Sequence, residues 1–328
     1  MAKKIRWGIM GCGGIASKFA ADLPLTKYGE LAAVGSRSKA KAKKFAKQYG
    51  ATRAYGSYEE LAADPDVDVV YVATPHPYHL DNALLAIRSG KQVLCEKPIT
   101  LNAKQTKRMI DAAAKQGVFL MEAMWTRFFP AMIRLRKWLS EGRIGKVLAV
   151  EADFGIRFKV GPEHRIFNPD LGGGALLDLG IYPVSLMSMI CGAQPENIVS
   201  TVHKAKTGVD DHAVITFEYA DNATAVLSTS SIVRMKNEAR IFGTEGMITI
   251  DDNFIHASRL TLDIEGKKPK TFEFPYDGLG MHFEADHVHQ CLRKGNLQSN
   301  VMPLTETLAI MQTMDKIRRQ WKLKYPNE

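Results

Sequence analysis

Cysteine is scarce in this chain. The four present, Cys12, Cys95, Cys191 and Cys291, include no CxxC pair. Neither a disulfide framework nor a zinc ribbon fits that spacing, so the thiols are expected to be reduced and mostly buried. Long apolar runs are missing as well: none approaches the roughly 18 residues of a membrane span, and the start of the chain leads into a strand pattern without a signal-like stretch. No membrane partner and a cytoplasmic location are the resulting expectations. Metal-ligand spacing is also absent. On a helix His287 and His289 diverge, and His282 to His287 is a poor facial spacing, so no metal is expected.

What is present is an ordinary globular composition, 45% apolar and 24% charged over 328 residues, enough for two domains with cores of their own. The formal charge of +9 raises nucleic acid as a partner, but no reader motif accompanies it. The clearest basic run, 38–49, puts Lys39, Lys43 and Lys47 on one helical face and Ala42, Phe45, Ala46 and Tyr49 on another. A solvated helix explains it, with attraction of an anionic cofactor second and nucleic acid a distant third.

Residues 5–10 read as an apolar strand running into Gly11-Cys12-Gly13-Gly14-Ile15-Ala16, with a helix following over 17–23. This is G-x-G-x-x-A in the strand, turn, helix context of a dinucleotide site. Gly11 permits the turn, Gly13 lets amides approach a pyrophosphate, and Ala16 allows helix to pack on strand. The second strand, 31–34, ends in Gly35-Ser36-Arg37-Ser38 where an NAD enzyme usually places a carboxylate. A hydroxyl and a guanidinium suit a 2′-phosphate, so NADP is expected over NAD; the alternative is that Arg37 only caps a loop.

A short helix at 58–63 precedes the near-continuous apolar run 67–73, a buried parallel strand ending at Thr74-Pro75-His76-Pro77. His76 and His79 have a catalytic reading, but shaping the loop is the better one. A helix from His79 to Ser89 follows, then the strand leading into Glu96-Lys97-Pro98, a helix at 103–116 closed by Gly117, and a strand at 118–121. These elements predict an α/β Rossmann domain, a doubly wound parallel sheet, over 1–122.

From Glu122 the composition changes. The segment 124–130 is aromatic and basic, and 131–141 is an amphipathic helix. Strands at 147–158, 214–219, 224–230, 239–242, 247–250, 259–264 and 271–274 are separated by turn signals such as Asp221-Asn222. Helices at 282–293 and 304–321 end the chain. Residues 123–328 are therefore expected to form an α+β domain with an open, mostly antiparallel sheet, serving substrate binding and oligomerisation. Ala213, Ile215, Phe217 and Tyr219 alternate on one strand, and Val226 on a neighbour hints that the outer face is partly apolar, favouring association into a homodimer or higher oligomer through the sheet.

Within this region Gly172-Gly173-Gly174 opens a helix over 175–190 that places Asp178 and Tyr182 four residues apart on one face. The glycines permit close approach to a ligand or to a neighbouring element. Pro183 disfavours the helical conformation at Tyr182, so a kink is expected there.

Taken in order and spacing, Gly11 to Ala16, Thr74-Pro75, Glu96-Lys97-Pro98 and the 172–182 segment resemble the Gfo/Idh/MocA oxidoreductase family over nearly the whole chain. The resemblance implies that Lys97 lies beside the nicotinamide and polarises the reacting oxygen, across a bond to Pro98 that is often cis. It implies cofactor contacts at Gly14, Ile15, Thr74, Pro75, His79 and Glu96 besides those above. Many members carry Asp-x-x-x-His where this chain has Asp178 to Tyr182, a departure that looks like the dihydrodiol and NADP-linked D-xylose dehydrogenase branch, in which the tyrosine is the acid/base.

Oxidising a secondary alcohol needs a base for the hydroxyl proton, since the cofactor accepts the hydride. A free phenol, with a pKa of about 10, needs a shift of roughly 3 units, about 4 kcal/mol, to act near neutrality. Lys97 can contribute to that. Asp178 is expected to orient the substrate or Lys97, because its own charge opposes phenolate formation. Trp125 and Phe154 suit an apolar wall, and Arg127 and Arg165 suit polar cofactor or substrate contacts. The implied activity is hydride transfer between NADP and a vicinal diol or pyranose sugar, with a sugar reductase running the other way, or a redox-silent dinucleotide sensor, as the rival readings.

Overall fold

A computed structural model describes residues 4–251, 253–326 and 328. In chain order its first elements are β1 (Ile5–Met10), α1 (Gly14–Asp22), β2 (Gly29–Gly35), α2 (Lys39–Tyr49), β3 (Arg53–Tyr55), α3 (Tyr58–Ala63) and β4 (Val69–Val72). Then come α4 (His79–Arg88), β5 (Gln92–Glu96), α5 (Ala103–Gln116), β6 (Leu120–Ala123), α6 (Pro130–Ser140), β7 (Val147–Gly155) and α7 (Ile181–Cys191). Strands β8 (Asn197–Lys204), β9 (Asp210–Glu218), β10 (Thr224–Ser230), β11 (Ala239–Gly243) and β12 (Gly246–Asp251) follow. The last are β13 (Arg259–Ile264), β14 (Lys270–Glu273), α8 (Met281–Arg293) and α9 (Leu304–Gln320).

The chain divides into two compact units, and the division is not a single cut at 122/123. The first comprises Met1–Phe128 with Asp277–Leu308, and the second Phe129–Tyr276 with Ala309–Glu328. Helix α8, expected with the C-terminal sheet, belongs to the first unit because two buried contacts hold it there. The Asp22 carboxylate accepts the Leu279 and Met281 amides at 2.9–3.0 Å, taking up donors at the start of α8. Further along α8, His289 Nε2 accepts the Trp7 indole N–H at 2.9 Å. Trp7 is fully buried and leads into an aromatic stack, with Phe19 at 5.1 Å and Tyr71 a further 4.0 Å on. Of the neighbouring histidines, His287 meets Ser299 Oγ at 2.7 Å, while His282 Nδ1 lies 3.7 Å from Asp22, beyond hydrogen-bond reach.

The first unit's sheet runs β3-β2-β1-β4-β5-β6 with every pair parallel. Its order reverses between β1 and β4, which opens a crevice at the carboxyl ends of those strands. All four residues of β4 are buried, as its apolar run requires. The edge strand β3, three half-buried residues, has too short a pattern to be read from sequence.

In the second unit eight strands run β14-β13-β12-β11-β7-β10-β9-β8. Among the described residues only β7 and β10 pair in parallel; the remaining pairs are antiparallel. Ala213, Ile215 and Phe217 of β9 face the core, while Val214 points outward beside Val199 and Val226, which are 59% and 41% exposed. Strand β8 was not anticipated: its burial alternates only weakly, as suits an edge. The helical run Pro169–Cys191 is long and apolar enough to cross a membrane by length and composition, but most of it is buried inside the protein, so it reads as a core helix.

Glu122, on β6, is fully buried. One oxygen accepts the Ile99 amide at 3.0 Å and the other has no partner among the described residues. Burial, ahead of all other causes, raises its pKa from 4.5 to about 7. Ionisation is therefore less favourable in the folded chain than in the unfolded one, and stability declines as pH rises from about 4.5 to about 7, then levels. Glu122→Gln is expected to remove that decline, gaining on the order of 1–3 kcal/mol relative to the parent between the two ends of the window. Thermal midpoints of both proteins measured across this range check it; parallel curves would refute it.

Candidate active site

The carboxyl ends of β1, β2, β4 and β5 gather the candidate residues of the first unit. Gly11 adopts φ +110°, and a Cβ there would lie 2.7 Å from the Ala73 carbonyl oxygen just past β4, so only glycine fits this turn from β1 to α1. Gly13 and Gly14 are different: nothing lies within 4 Å of where their side chains would project. That open space fronts the start of α1, whose N-cap is Gly13, with no side-chain cap and no acid in the first turn. Ile15 follows on that turn, and Ala16 is fully buried against the sheet. Uncapped amides beside an open cradle fit a pyrophosphate.

At the end of β2, Ser36 is buried and Arg37 exposed. Ser36 Oγ accepts the Ser38 amide at 3.3 Å, and Ser38 in turn caps α2 by accepting the Lys41 amide at 3.4 Å. It is Ser38, not Arg37, that caps the loop. The Arg37 guanidinium lies 5.8 Å from the Tyr78 ring centre, at the end of the neighbouring β4 loop.

The loops after β4 and β5 brace each other. His79, fully buried, sits between the Thr74 carbonyl at 2.7 Å and the Pro98 carbonyl at 2.9 Å. Burial, the leading cause, lowers its pKa, so the ring is neutral at pH 7 and donates to one carbonyl at a time. Thr74 also accepts from Asn82 at 3.0 Å, and Pro75 starts the single turn His76–Tyr78. Glu96 accepts the Tyr71 hydroxyl on one oxygen and the Lys97 amide, at 3.1 Å, on the other. The Lys97–Pro98 bond is cis and Lys97 is 8% exposed. Glu96 and His79, expected on the cofactor, therefore act here as struts for the lysine loop. Arg127 departs further from its expected role. Only 2% exposed, it pairs with Glu306 at 2.8 Å and donates to the Val301 carbonyl at 3.3 Å, as a buried guanidinium must. Trp125, on the same turn, is also buried.

The second unit assembles its own group. Residues Leu176–Gly180 form a π turn that runs directly into α7. The expected kink at Tyr182 is replaced by this wider turn, in which the Ile181 amide reaches back to the Leu176 carbonyl. Pro183, which has no amide to donate, follows immediately, and the helix stays continuous. Asp178 and Tyr182 are 5% and 7% exposed. Asp178 accepts Arg165 Nη2 at 2.9 Å, and Tyr182 meets the edge of Phe154 with ring centres 5.4 Å apart. The glycine triplet serves neighbouring protein: a Cβ on Gly173 would lie 2.6 Å from the Arg165 carbonyl oxygen, and one on Gly174 would lie 2.3 Å from Asp210 Oδ1.

The family model for oxidoreductases with an NAD-binding Rossmann fold matches residues 5–124, and the model of the Gfo/Idh/MocA C-terminal domain matches 132–249. The trans-1,2-dihydrobenzene-1,2-diol dehydrogenase of Xenopus tropicalis is 39% identical over 98% of this chain and 99% of its own length. The chain belongs to the Gfo/Idh/MocA oxidoreductase family. The human protein of the same name is 38% identical, covering 99% of both chains. Among solved structures, the aldose-aldose oxidoreductase of Caulobacter crescentus is 26% identical, with a TM-score of 0.90 and 98% of both chains covered. KijD10, a 3-ketoreductase of Actinomadura kijaniata solved with NADP and TDP-benzene, is also 26% identical, with a TM-score of 0.86 over 97% of this chain and 98% of that one.

This Gfo/Idh/MocA member also uses residues that sequence reasoning missed. Tyr71 and Asn82 brace Glu96 and Thr74, and both lie in ordinary apolar or helical patterns that signal nothing. Asp210 gave one hint, since consecutive aspartates open a strand whose neighbours are apolar. Tyr325, whose hydroxyl donates to the Gly173 carbonyl at 2.6 Å, gave none.

Proposed function

We propose that this protein is an NADP-dependent oxidoreductase that transfers a hydride between the nicotinamide and a secondary alcohol or ketone of a vicinal diol or pyranose sugar. The observation that carries the reading is the grouping of Tyr182 with Asp178, Arg165 and Phe154 at the junction of the π turn and α7. The relatives named as dihydrodiol dehydrogenases support the substrate class, and KijD10's complex with NADP supports the cofactor.

Arg37 and Ser36 would hold the 2′-phosphate, and the amides at the start of α1 the pyrophosphate. When bound, the oxidised nicotinamide supplies the hydride acceptor. Tyr182 would take the hydroxyl proton, and Lys97 would have the oxygen-polarising role that the family resemblance implies. The carboxylate of Asp178 would oppose phenolate were it alone, but Arg165 at 2.9 Å offsets much of its field. Asp178 is thereby left to orient the hydroxyl. Phe154 confines the phenol ring. Turnover is tested by following reduced-cofactor absorbance with NADP and a panel of D-xylose, glucose and trans-dihydrodiols; no turnover with either cofactor in either direction would sink the reading.

Cofactor choice follows from Arg37. NADP should bind more tightly than NAD, and Arg37→Asp should erase or reverse the preference through lost pairing and new repulsion. Equal affinities in the parent protein, measured by titration, would contradict this.

The acid/base roles separate by substitution. Tyr182→Phe should lower alcohol oxidation by about 10² to 10⁴ with NADP affinity nearly unchanged. Lys97→Met should leave residual activity shifted to more alkaline pH, and Lys97→Arg should rescue only in part. Near-full activity in Tyr182→Phe, with none at any pH in Lys97→Met, would transfer the proton to the lysine.

A homodimer or larger closed assembly through the second unit's sheet is part of the same proposal. Val199 and Val226 both lie opposite Thr216, and Val214 lies opposite Thr201 and Ser228, giving one partly apolar outer face. Sedimentation at micromolar concentration is expected to find no dominant monomer; monomer alone would count against the interface.

A further inference from the structure

The helix that carries Asp178 and Tyr182 is held at its start from three sides, all within the second unit. From β9, the fully buried Asp210 accepts the Leu176 amide on Oδ2 at 2.6 Å. From β10, Thr229 Oγ1 donates to the Ala175 carbonyl at 3.4 Å. From the segment after α9, the buried Tyr325 donates its hydroxyl proton to the Gly173 carbonyl at 2.6 Å. Arg318 lies 5.2 Å from the centre of the Tyr325 ring and is itself paired with Asp315 and Glu328. Gly174 occupies the crowded centre: with φ +117°, its Cβ would come 2.3 Å from Asp210 and 3.2 Å from the Tyr325 hydroxyl.

Neither Asp210 nor Tyr325 has a part in the chemistry assigned above. What they fix is the register of the helix. A π turn holds one residue more than an α turn, and nothing in the turn itself dictates where along the helix that extra residue sits. Moving it along the helix re-aims each residue it passes by about 100°, and losing it re-aims everything beyond. Asp178 lies inside the π turn and Tyr182 just past it, so a slip would change the aim of one against the other while leaving the fold in place. Burial raises the Asp210 pKa to about 6, and its Oδ2 accepts the Leu176 amide at the helix N-terminus.

We propose that Asp210 and Tyr325 are positioning residues for proton transfer: from β9 and from the segment after α9 they lock the register at which the glycine turn enters the helix, and so aim Tyr182. This rests on the role assigned to Tyr182.

Tyr325→Phe removes one donor and keeps the ring; Asp210→Asn keeps an acceptor for Leu176, and Asp210→Ala keeps none. Each is assayed in the full chain for kcat and KM in alcohol oxidation and for NADP binding, alone and combined with Tyr182→Phe. Tyr325→Phe is expected to lower kcat about 10-fold, on the scale of a misaimed group, with NADP affinity unchanged. Asp210→Asn should restore part of what Asp210→Ala loses. In the Tyr182→Phe background, Tyr325→Phe should cost little more, because its effect passes through the missing hydroxyl. Losses that simply add, an unchanged kcat in Tyr325→Phe, or parallel loss of kcat and NADP affinity would each overturn the proposal. Should Asp210→Ala fail to fold, the tyrosine cycle decides alone. Full activity in Tyr182→Phe would instead bring down the base assignment itself, a result distinct from an additive cycle.

Discussion

A helix leaves the amides of its first turn without internal partners, and this protein treats that constraint in opposite ways at its two important helices. At α1 the start is left uncapped, with Gly13 and Gly14 facing open space, so the donors and the positive end of the helix are available to an anion. At the helix carrying Asp178 and Tyr182 the same need is met from inside, by the Asp210 carboxylate on the Leu176 amide. One start is built to receive a ligand and the other to hold still. Glycines mark both, but for different reasons: in the first they leave room, and in the second protein atoms already occupy the space a side chain would take.

The Lys97 loop shows a related economy. A buried ammonium is useful only if its backbone does not drift, and the loop is tied at Lys97 by Glu96, at Pro98 by His79 and at Ile99 by Glu122. Neutral His79 suits this place, since a second positive charge beside the lysine would work against both. Glu96 is held in turn by Tyr71, which stacks on Phe19 and through it reaches Trp7. The aromatic core of the first unit thus sets the stiffness of its reactive edge.

Local patterns in the chain carried much of this. The glycine fingerprint, the Ser36-Arg37 ending, the Glu-Lys-Pro turn and the Asp178 to Tyr182 spacing are short-range features, legible because backbone conformation and i,i+4 geometry act over a few residues. The helices Tyr58–Ala63 and Ala103–Gln116 begin after side-chain caps at Ser57 and Asn102, and their bounds were readable to the residue. Harder cases were those with weak local signal. Strand β3 is three residues long, and β8 lies at an edge with little alternation.

By itself the sequence determined the class of each unit and the dinucleotide turn, since these depend on neighbours along the chain, while the roles proposed for Lys97, Asp178 and Tyr182 came from the family resemblance of motifs taken together in their order and spacing. Only the tertiary structure decided which polar groups are spent on the protein itself. Arg127 is turned inward by Glu306, α8 is drawn to the first unit by Asp22 and Trp7, and the helix bearing Tyr182 is pinned by Asp210 and Tyr325. The physical reason is common to all three. A buried donor or charge must find a partner, the partner can lie hundreds of residues away, and no local pattern encodes which one it will be.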